Sequence, residues 1–339
     1  MKLFTTSHLG SPLRLVSRSS QKRFASTSGS DAAQQLLSQL KGRVTTRRQV
    51  LDGNQLQKLS LTLDRRHLHP GHDISEIAPA NGTVLPPGYH LVYFTPNGTE
   101  LDLGADGTDR SFNSPEPFTR RMWAGGRMQW AKDRPLRVGE EVEERTCLLS
   151  AEPKKSRDGT EMIVVTIEKE FWGSQGLSLT DQRSWIFRTE LSEPLGNTAH
   201  SPTGMFSIAS PGEALANVFL GYPERQMTWS PISLFRFSAL TFNAHRIHYD
   251  AAWSQGVENH RGLVVHGPLN LINLLDYWRD VHAVSDGAGP SEIAYRALSP
   301  LYSGERYAVK TSPAEQSRGN IEILVEREGT ICMKGVISE

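Results

Sequence analysis

The sequence is short of cysteine: among 339 residues only Cys147 and Cys332 occur, far apart and without CxxC spacing. That excludes a disulfide framework and a cysteine-built zinc site, and it points to a reducing interior compartment. Long apolar runs are missing too, since no stretch approaches the roughly 20 consecutive apolar residues that a bilayer-spanning helix needs. Net charge is absent, because 37 basic side chains balance 37 acidic ones. A dedicated nucleic-acid binder carries an excess of Lys and Arg to neutralise phosphates, so that class is excluded. Residues 1–30 contain no Asp or Glu at all. The chain is nevertheless long enough for two domains of ordinary size.

The acid-free segment 1–30 carries Lys2, Arg14, Arg18, Lys22 and Arg23 and is rich in Ser and Thr. This composition is that of a mitochondrial transit peptide, whose positive charge answers an inside-negative potential; a disordered basic tail is the alternative. A secretory signal does not fit, because Leu9 to Val16 is interrupted by Gly10, Ser11, Pro12 and Arg14. Without residues 1–30 the balance becomes 32 basic against 37 acidic side chains, so the remainder is mildly acidic.

Leu36, Leu37 and Leu40, followed by Leu51, Leu56, Leu59 and Leu63, predict amphipathic helix across 33–69, ended by Pro70-Gly71. Residues 78–118 are dense in Pro, Gly, Asn and Asp and read as loops around one short strand at His90 to Phe94. Segments 122–130, 140–150, 161–172 and 182–190 combine β-branched and aromatic residues with turn signals between them, which predicts an antiparallel meander. Residues 192–212, rich in Ser, Pro, Gly and Asn, form a linker. A second strand group follows at 292–299, 305–312, 320–327 and 330–337. PLxxGE occurs twice, at Pro135 to Glu140 and at Pro300 to Glu305, each time leading into long strands, which suggests two copies of one fold. Only the second copy holds a helix candidate of apolar character on nearly every side, Leu269 to Val284; nothing comparable sits just before Pro135. Such a helix is buried inside a sheet.

Four of the 11 histidines, His245, His248, His260 and His266, fall in one short window. Imidazole titrates near neutral pH, so the cluster invites acid/base or metal chemistry. His245 and His248 can share a helical face, but there is no HExxH and the nearby acids are only Asp250 and Glu258. No metal or redox cofactor is therefore expected. His260, in a polar turn, reads as structural, and His266 either fills structure or shapes the loop beside a substrate.

The string Thr241-Phe-Asn-Ala-His-Arg-Ile-His-Tyr-Asp250 resembles the signature of MaoC-like (R)-specific enoyl-thioester hydratases, and Val264-Val-His-Gly-Pro268 resembles the entry to that family's central helix. With Arg121-Met-Trp-Ala-Gly-Gly126, the likeness is to the subgroup holding fungal mitochondrial 3-hydroxyacyl-thioester dehydratases type 2 and bacterial mesaconyl-CoA hydratases. It spans about residues 45–339. The resemblance implies an α+β double hot dog: a degenerate N-terminal copy at 31–195, a catalytic copy at 205–339, and a central helix wrapped mainly in the second.

It also implies roles. His248 stands at the catalytic histidine, exchanging a proton with the water that adds to, or leaves from, the β-carbon. Gly267 stands where a backbone N–H meets the thioester carbonyl, a task that suits a helix N-terminus. Asn243 departs from the wider signature, which has Asp there. An amide orients water without taking its proton, so either His248 is the sole titrating group or the chain only binds thioesters. Asp250 reads as the N-cap of a following helix.

The implied substrates are acyl thioesters on the phosphopantetheine arm of CoA or acyl carrier protein, with Arg236, Arg246, Arg261 and His266 as candidate binding residues. Arg120, Arg121, Arg127, Lys132, Arg134 and Arg137 add further cations, and Trp123 and Trp130 are candidates for the acyl pocket or the core. The reading that results is a mitochondrial matrix 3-hydroxyacyl-thioester dehydratase of type II fatty acid synthesis, with a homodimer as the candidate assembly. Its rivals are a mesaconyl-CoA-type branched dicarboxylic acyl-CoA hydratase and a non-catalytic thioester-binding subunit. A pocket cation facing the distal carboxylate is the structural clue to the former.

Overall fold

The computed structural model describes residues 27–156, 158–191, 217–219, 222–283, 289–313 and 319–339. Most of segment 1–30, read above as a transit peptide, and the whole of the 192–212 linker lie outside them. Among the described residues no helix is long and apolar enough to cross a membrane.

Helix α1, Gly29–Leu40, opens on a capping box between Ser28 and Asp31 and buries Ala32, Ala33 and Leu36. The helical reading of 33–69 then fails in its middle. Val44–Val50 is strand β1, paired antiparallel with residues 141–147, and helix resumes only at α2, Gly53–Thr62, capped by Asp52. Leucines on the two helices flank β1 and together mimic one long period. A small hairpin, β2 His67–His69 and β3 His72–Asp73, follows. The strand expected at His90 to Phe94 is instead a buried 3₁₀ turn, Tyr89–Val92.

Strand β4 is Arg120–Trp130, β5 Glu141–Lys155, β6 Glu161–Gly173 and β7 Gly176–Arg188. After β8, Asn217–Phe219, and β9, Tyr222–Met227, come α3 Pro231–Leu240, α4 Ala251–Gly256 and α5 Gly267–Val281. Strands β10 Glu292–Ala297, β11 Tyr307–Thr311, β12 Asn320–Arg327 and β13 Thr330–Ser338 complete the chain.

One antiparallel sheet runs β1-β5-β6-β7-β4-β10-β13-β12-β11-β9-β8. Within the first strand group only β5 to β7 form a meander, because β4 lies beside β7 rather than β5. From the central β4–β10 seam, where Met128 faces Ile293, the order β4-β7-β6-β5-β1 on one side repeats as β10-β13-β12-β11-β9 on the other.

The two PLxxGE copies are the same structure twice. Gly139 and Gly304 both take left-handed φ, 82° and 84°. Their amides donate to Leu51 and Trp229 carbonyls at 2.8 and 2.9 Å, the residues that lead into α2 and α3. Likewise the Leu85 amide donates to Leu136 O and that of Val265 to Leu301 O, at 2.9 and 2.8 Å. Val84-Leu85 is thus the counterpart of Val264-Val265, and the 3₁₀ turn at 89–92 stands where α5 begins in the second half. Pro86-Pro87-Gly88 replaces His266-Gly267-Pro268 there, and no long helix follows.

From Leu269 to Trp278 every residue of α5 is buried, as its all-round apolar pattern requires. The main core gathers Leu56, Phe237, Leu274, Ile293 and Val325 around this helix, and a smaller core forms where α1 covers Ile163, Val165 and Phe187. This duplicated α+β architecture, with its one central helix, is the double hot dog.

Candidate active site

A cavity of about 690 Å³ opens between the two cores and is lined from both halves. One wall comes from the segment after α3. Thr241 ends that helix, Phe242 turns with φ 47°, and Asn243 Oδ1 accepts the His245 amide at 3.1 Å. A single 3₁₀ turn, Arg246–His248, follows, and Asp250 caps α4 by accepting the Trp253 amide at 3.0 Å. Asn243, His245 and His248 line the cavity together with Gly267.

His248 is 6% exposed, and its Nδ1 lies 2.7 Å from the Val264 carbonyl. A carbonyl only accepts, so Nδ1 carries the hydrogen and Nε2 keeps its lone pair. Burial pushes the His248 pKa down to about 4 against the opposing Val264 bond, with His260 lowering it further. The ring is a neutral base at pH 7, and such a group can take a proton from water.

His266 stacks on it at 3.6 Å between centroids, and its own Nε2 pairs with Ser238 Oγ at 2.9 Å. His245 meets the His248 ring edge-on at 5.4 Å. Its Nε2 is buried without a hydrogen bond, 3.7 Å from Asp106 Oδ2. Burial holds His245 and His266 well below the ordinary histidine value, and it brings His260 to about 4.

Gly267 begins α5, whose leading amides lack helical partners. A side chain is impossible at this position without movement, because a Cβ would lie 2.8 Å from Trp123 Cγ. Trp123 in turn stacks on Tyr295 and meets Trp185 edge-on. The indole therefore walls the cavity at the helix N-terminus; Trp123 and Trp130 both pack against the main core, and Trp130 does not line the cavity.

The four other expected binding residues do not line the cavity. Arg236 is exposed on α3. Arg246 is held by Asp250 at 2.7 Å and lies over the Trp253 ring. Arg261 pairs with Glu305 above Tyr302, and His266 sits behind His248. The cations that do line it are Arg43, Arg47, Arg121, Lys169, Arg183 and Arg188, against the acids Asp109, Glu144 and Glu258. Apart from Arg121 these escaped the sequence reading, although two-residue alternation along β6 and β7 placed Lys169 and Arg183 on the inward face.

Among the described residues, the group whose ligand atoms come within 4.8 Å of one another is Asp106, His245 and Glu258 rather than the four histidines. Glu258 already receives Arg120 Nε at 3.0 Å, and Asp106 accepts from Thr108.

Comparison with known proteins extends this picture. The sequence model of the family hydroxyacyl-thioester dehydratase type 2 matches residues 88–303. Mesaconyl-C(4)-CoA hydratase of Chloroflexus aurantiacus is 33% identical over 227 residues, covering 66% of this chain and 74% of its own. The mitochondrial hydroxyacyl-thioester dehydratase type 2 of Schizosaccharomyces pombe is 28% identical over 229 residues, covering 65% of this chain and 75% of its own. The crystal structure of a MaoC-like dehydratase from Phytophthora capsici shares the fold, with TM-score 0.61 at 13% identity over 88% of this chain and 95% of that one. With more than half of its length matched, and with a 33% identical relative, the chain belongs to the hydroxyacyl-thioester dehydratase type 2 family of hydro-lyases.

Proposed function

We propose that the protein reversibly hydrates trans-2-enoyl thioesters to (R)-3-hydroxyacyl thioesters, with His248 as the base. The observation that carries this reading is the tautomer lock: Val264 O holds Nδ1–H and leaves a basic Nε2 in the cavity that Gly267 also lines. Water gives a proton to Nε2 while its oxygen bonds to C3, and the electron pair of the C2–C3 double bond moves onto the thioester carbonyl. The Gly267 amide at the α5 N-terminus meets that developing charge; one such preorganised donor is typically worth about 10²–10³ in rate. The proton then passes from His248 to C2, so the hydrogens of one water are fully accounted for. Asn243, its oxygen engaged by His245 N, has its amide hydrogens left to orient the water.

In this reading residues 205–339 do the chemistry and 31–195 shape the acyl pocket. The acid-free leader and the name of the yeast relative favour the mitochondrial matrix and a type II fatty acid synthesis role on acyl carrier protein. The cation-rich cavity wall favours instead a dicarboxylic acyl-CoA, the second reading.

His248→Ala should lower turnover of crotonyl-CoA at least about a thousandfold, by analogy with general-base losses added to lost water positioning, while still folding, as a cooperative melt checks. Loss of enoyl absorbance is the assay. Full activity in the variant refutes the mechanism. Wild type and Asn243→Asp that both bind thioester without turnover would identify a binding subunit.

A further inference from the structure

The inward face of the first half carries charge where a sheet interior is ordinarily apolar. Four residues beyond the PLxxGE glutamates, the second half has Val309 in its core and the first half has Glu144 on the cavity. Lys169, Arg183 and Arg121 line the same wall beside Trp123 and Trp185. Two of these cations are matched. Lys169 Nζ donates to Glu144 at 2.7 Å, and Arg183 Nε donates to Asp181 at 2.7 Å, where His90 joins at 3.2 Å.

Arg121 is different. Among the described residues no carboxylate lies within ion-pair distance of it, and its hydrogen bonds, to Asp109 O at 3.0 Å and Asn113 Oδ1 at 3.3 Å, all leave from Nη1. Its guanidinium lies 5.3 Å from the Trp185 ring centre. Burial pulls its pKa below the ordinary value, against Asp109 and Asp106, but a guanidinium remains charged in proteins. The Nε and Nη2 side of the fork is left for an anion, and that geometry suits a carboxylate bidentately.

Its location relative to the reacting atoms follows from the strand. Arg121 and Trp123 share the inward face of β4 two residues apart, about 7 Å along the strand. Trp123 is the side chain against Gly267. An acyl group whose carbonyl meets the Gly267 amide therefore needs only a few carbon–carbon bonds of ~1.5 Å each to bring its far end toward Arg121.

We infer that Arg121 receives a carboxylate at the acyl end of the substrate, making short dicarboxylic 2-enoyl thioesters the preferred class. The inference rests on the hydratase reading above. Phosphates of the CoA arm are the competing anion, but they are common to every CoA substrate, which separates the two.

The test compares mesaconyl-CoA with crotonyl-CoA in the wild type, in Arg121→Met, which keeps an unbranched stem, and in Arg121→Lys, which keeps charge without the fork. Wild type should favour the carboxylate substrate in kcat/KM by at least about a hundredfold, since a site built to pair a polar group rejects analogues lacking it. Arg121→Met should collapse that preference, chiefly through KM for mesaconyl-CoA, and Arg121→Lys should restore part of it. Wild type preferring crotonyl-CoA overturns the inference without any variant, and so does an equal loss on both substrates, which marks phosphate contact or packing. A folded wild type inert toward both CoA esters but active on crotonyl-acyl carrier protein also overturns the inference, and inertness toward all three overturns the hydratase reading itself.

Discussion

At the scale of single residues, the site is a nest of imidazoles kept neutral by burial, and that has a consequence for stability. His248 and His260 titrate near 4 in the folded chain, and His245 and His266 are also held well below the ordinary 6.5. Unfolding returns each to its ordinary value, so between 6.5 and 4 the unfolded chain binds more protons than the folded one. The stability that these groups contribute is complete above pH 6.5 and is lost as pH falls through the folded values. For a ring as buried as His248 the loss is on the order of a few kcal/mol. Thermal melts from pH 8 to pH 5 should show Tm flat above about 7 and falling steeply below 6.5, and His266→Gln should flatten the fall. An unchanged Tm at pH 5 would mean that the rings are hydrated. Among the residues that line the cavity, the sequence motifs single out Asn243, His248 and Gly267. The sequence could not reveal that Arg261 is spent on Glu305, a partner set by tertiary placement, and the reading of Asp250 as a helix cap passed over its local pairing with Arg246 four residues before it.

At the scale of elements, the repeated PLxxGE corner makes a prediction in which the two copies must differ. Both glycines have φ above 80°, which costs an L-residue roughly 1–2 kcal/mol. At Gly304 a Cβ meets nothing within 4 Å, whereas at Gly139 it would lie 2.4 Å from Asn81 Cγ. Gly304→Ala should therefore lower stability by about 1 kcal/mol, the backbone cost alone. Gly139→Ala should cost more, until Asn81→Ala is added and the two copies become alike. Urea denaturation of the three variants decides, and equal losses at both glycines would dismiss the steric argument. The same corner explains what was legible. Strands β4 to β7 and β10 to β13 announce themselves by alternation and turns, since one face of each is buried. Strand β1 does not, because Val44 and Val50 are 61% and 50% exposed and its charged residues lie at an edge. The 3₁₀ turn at 89–92 reads as a strand because its apolar run is too short to show a helical period.

At the scale of the whole molecule, the first half has no long central helix at the equivalent place and packs on the second half's. The turn at Gly88 reaches α5 directly, for a Cβ there would lie 2.8 Å from Leu275 Cδ1 and 3.5 Å from Ile272 Cγ1. Tyr89 donates to Asp276 at 3.0 Å, and Arg65 forks onto Asp280 through two 2.7 Å bonds. The β4–β10 seam makes the sheets continuous as well. Neither half can therefore open alone without exposing apolar surface on α5 or an unpaired strand edge, and the chain should unfold as one unit. Leu275→Ala discriminates, because it leaves a cavity on the face of α5 that meets the first half; truncations of this kind cost about 2–5 kcal/mol. Hydrogen exchange should then show amides of β6, in the first half, and β12, in the second, losing the same protection free energy. Loss confined to β12 would mean that the halves are thermodynamically separate, and the shared helix would be a contact rather than a common core.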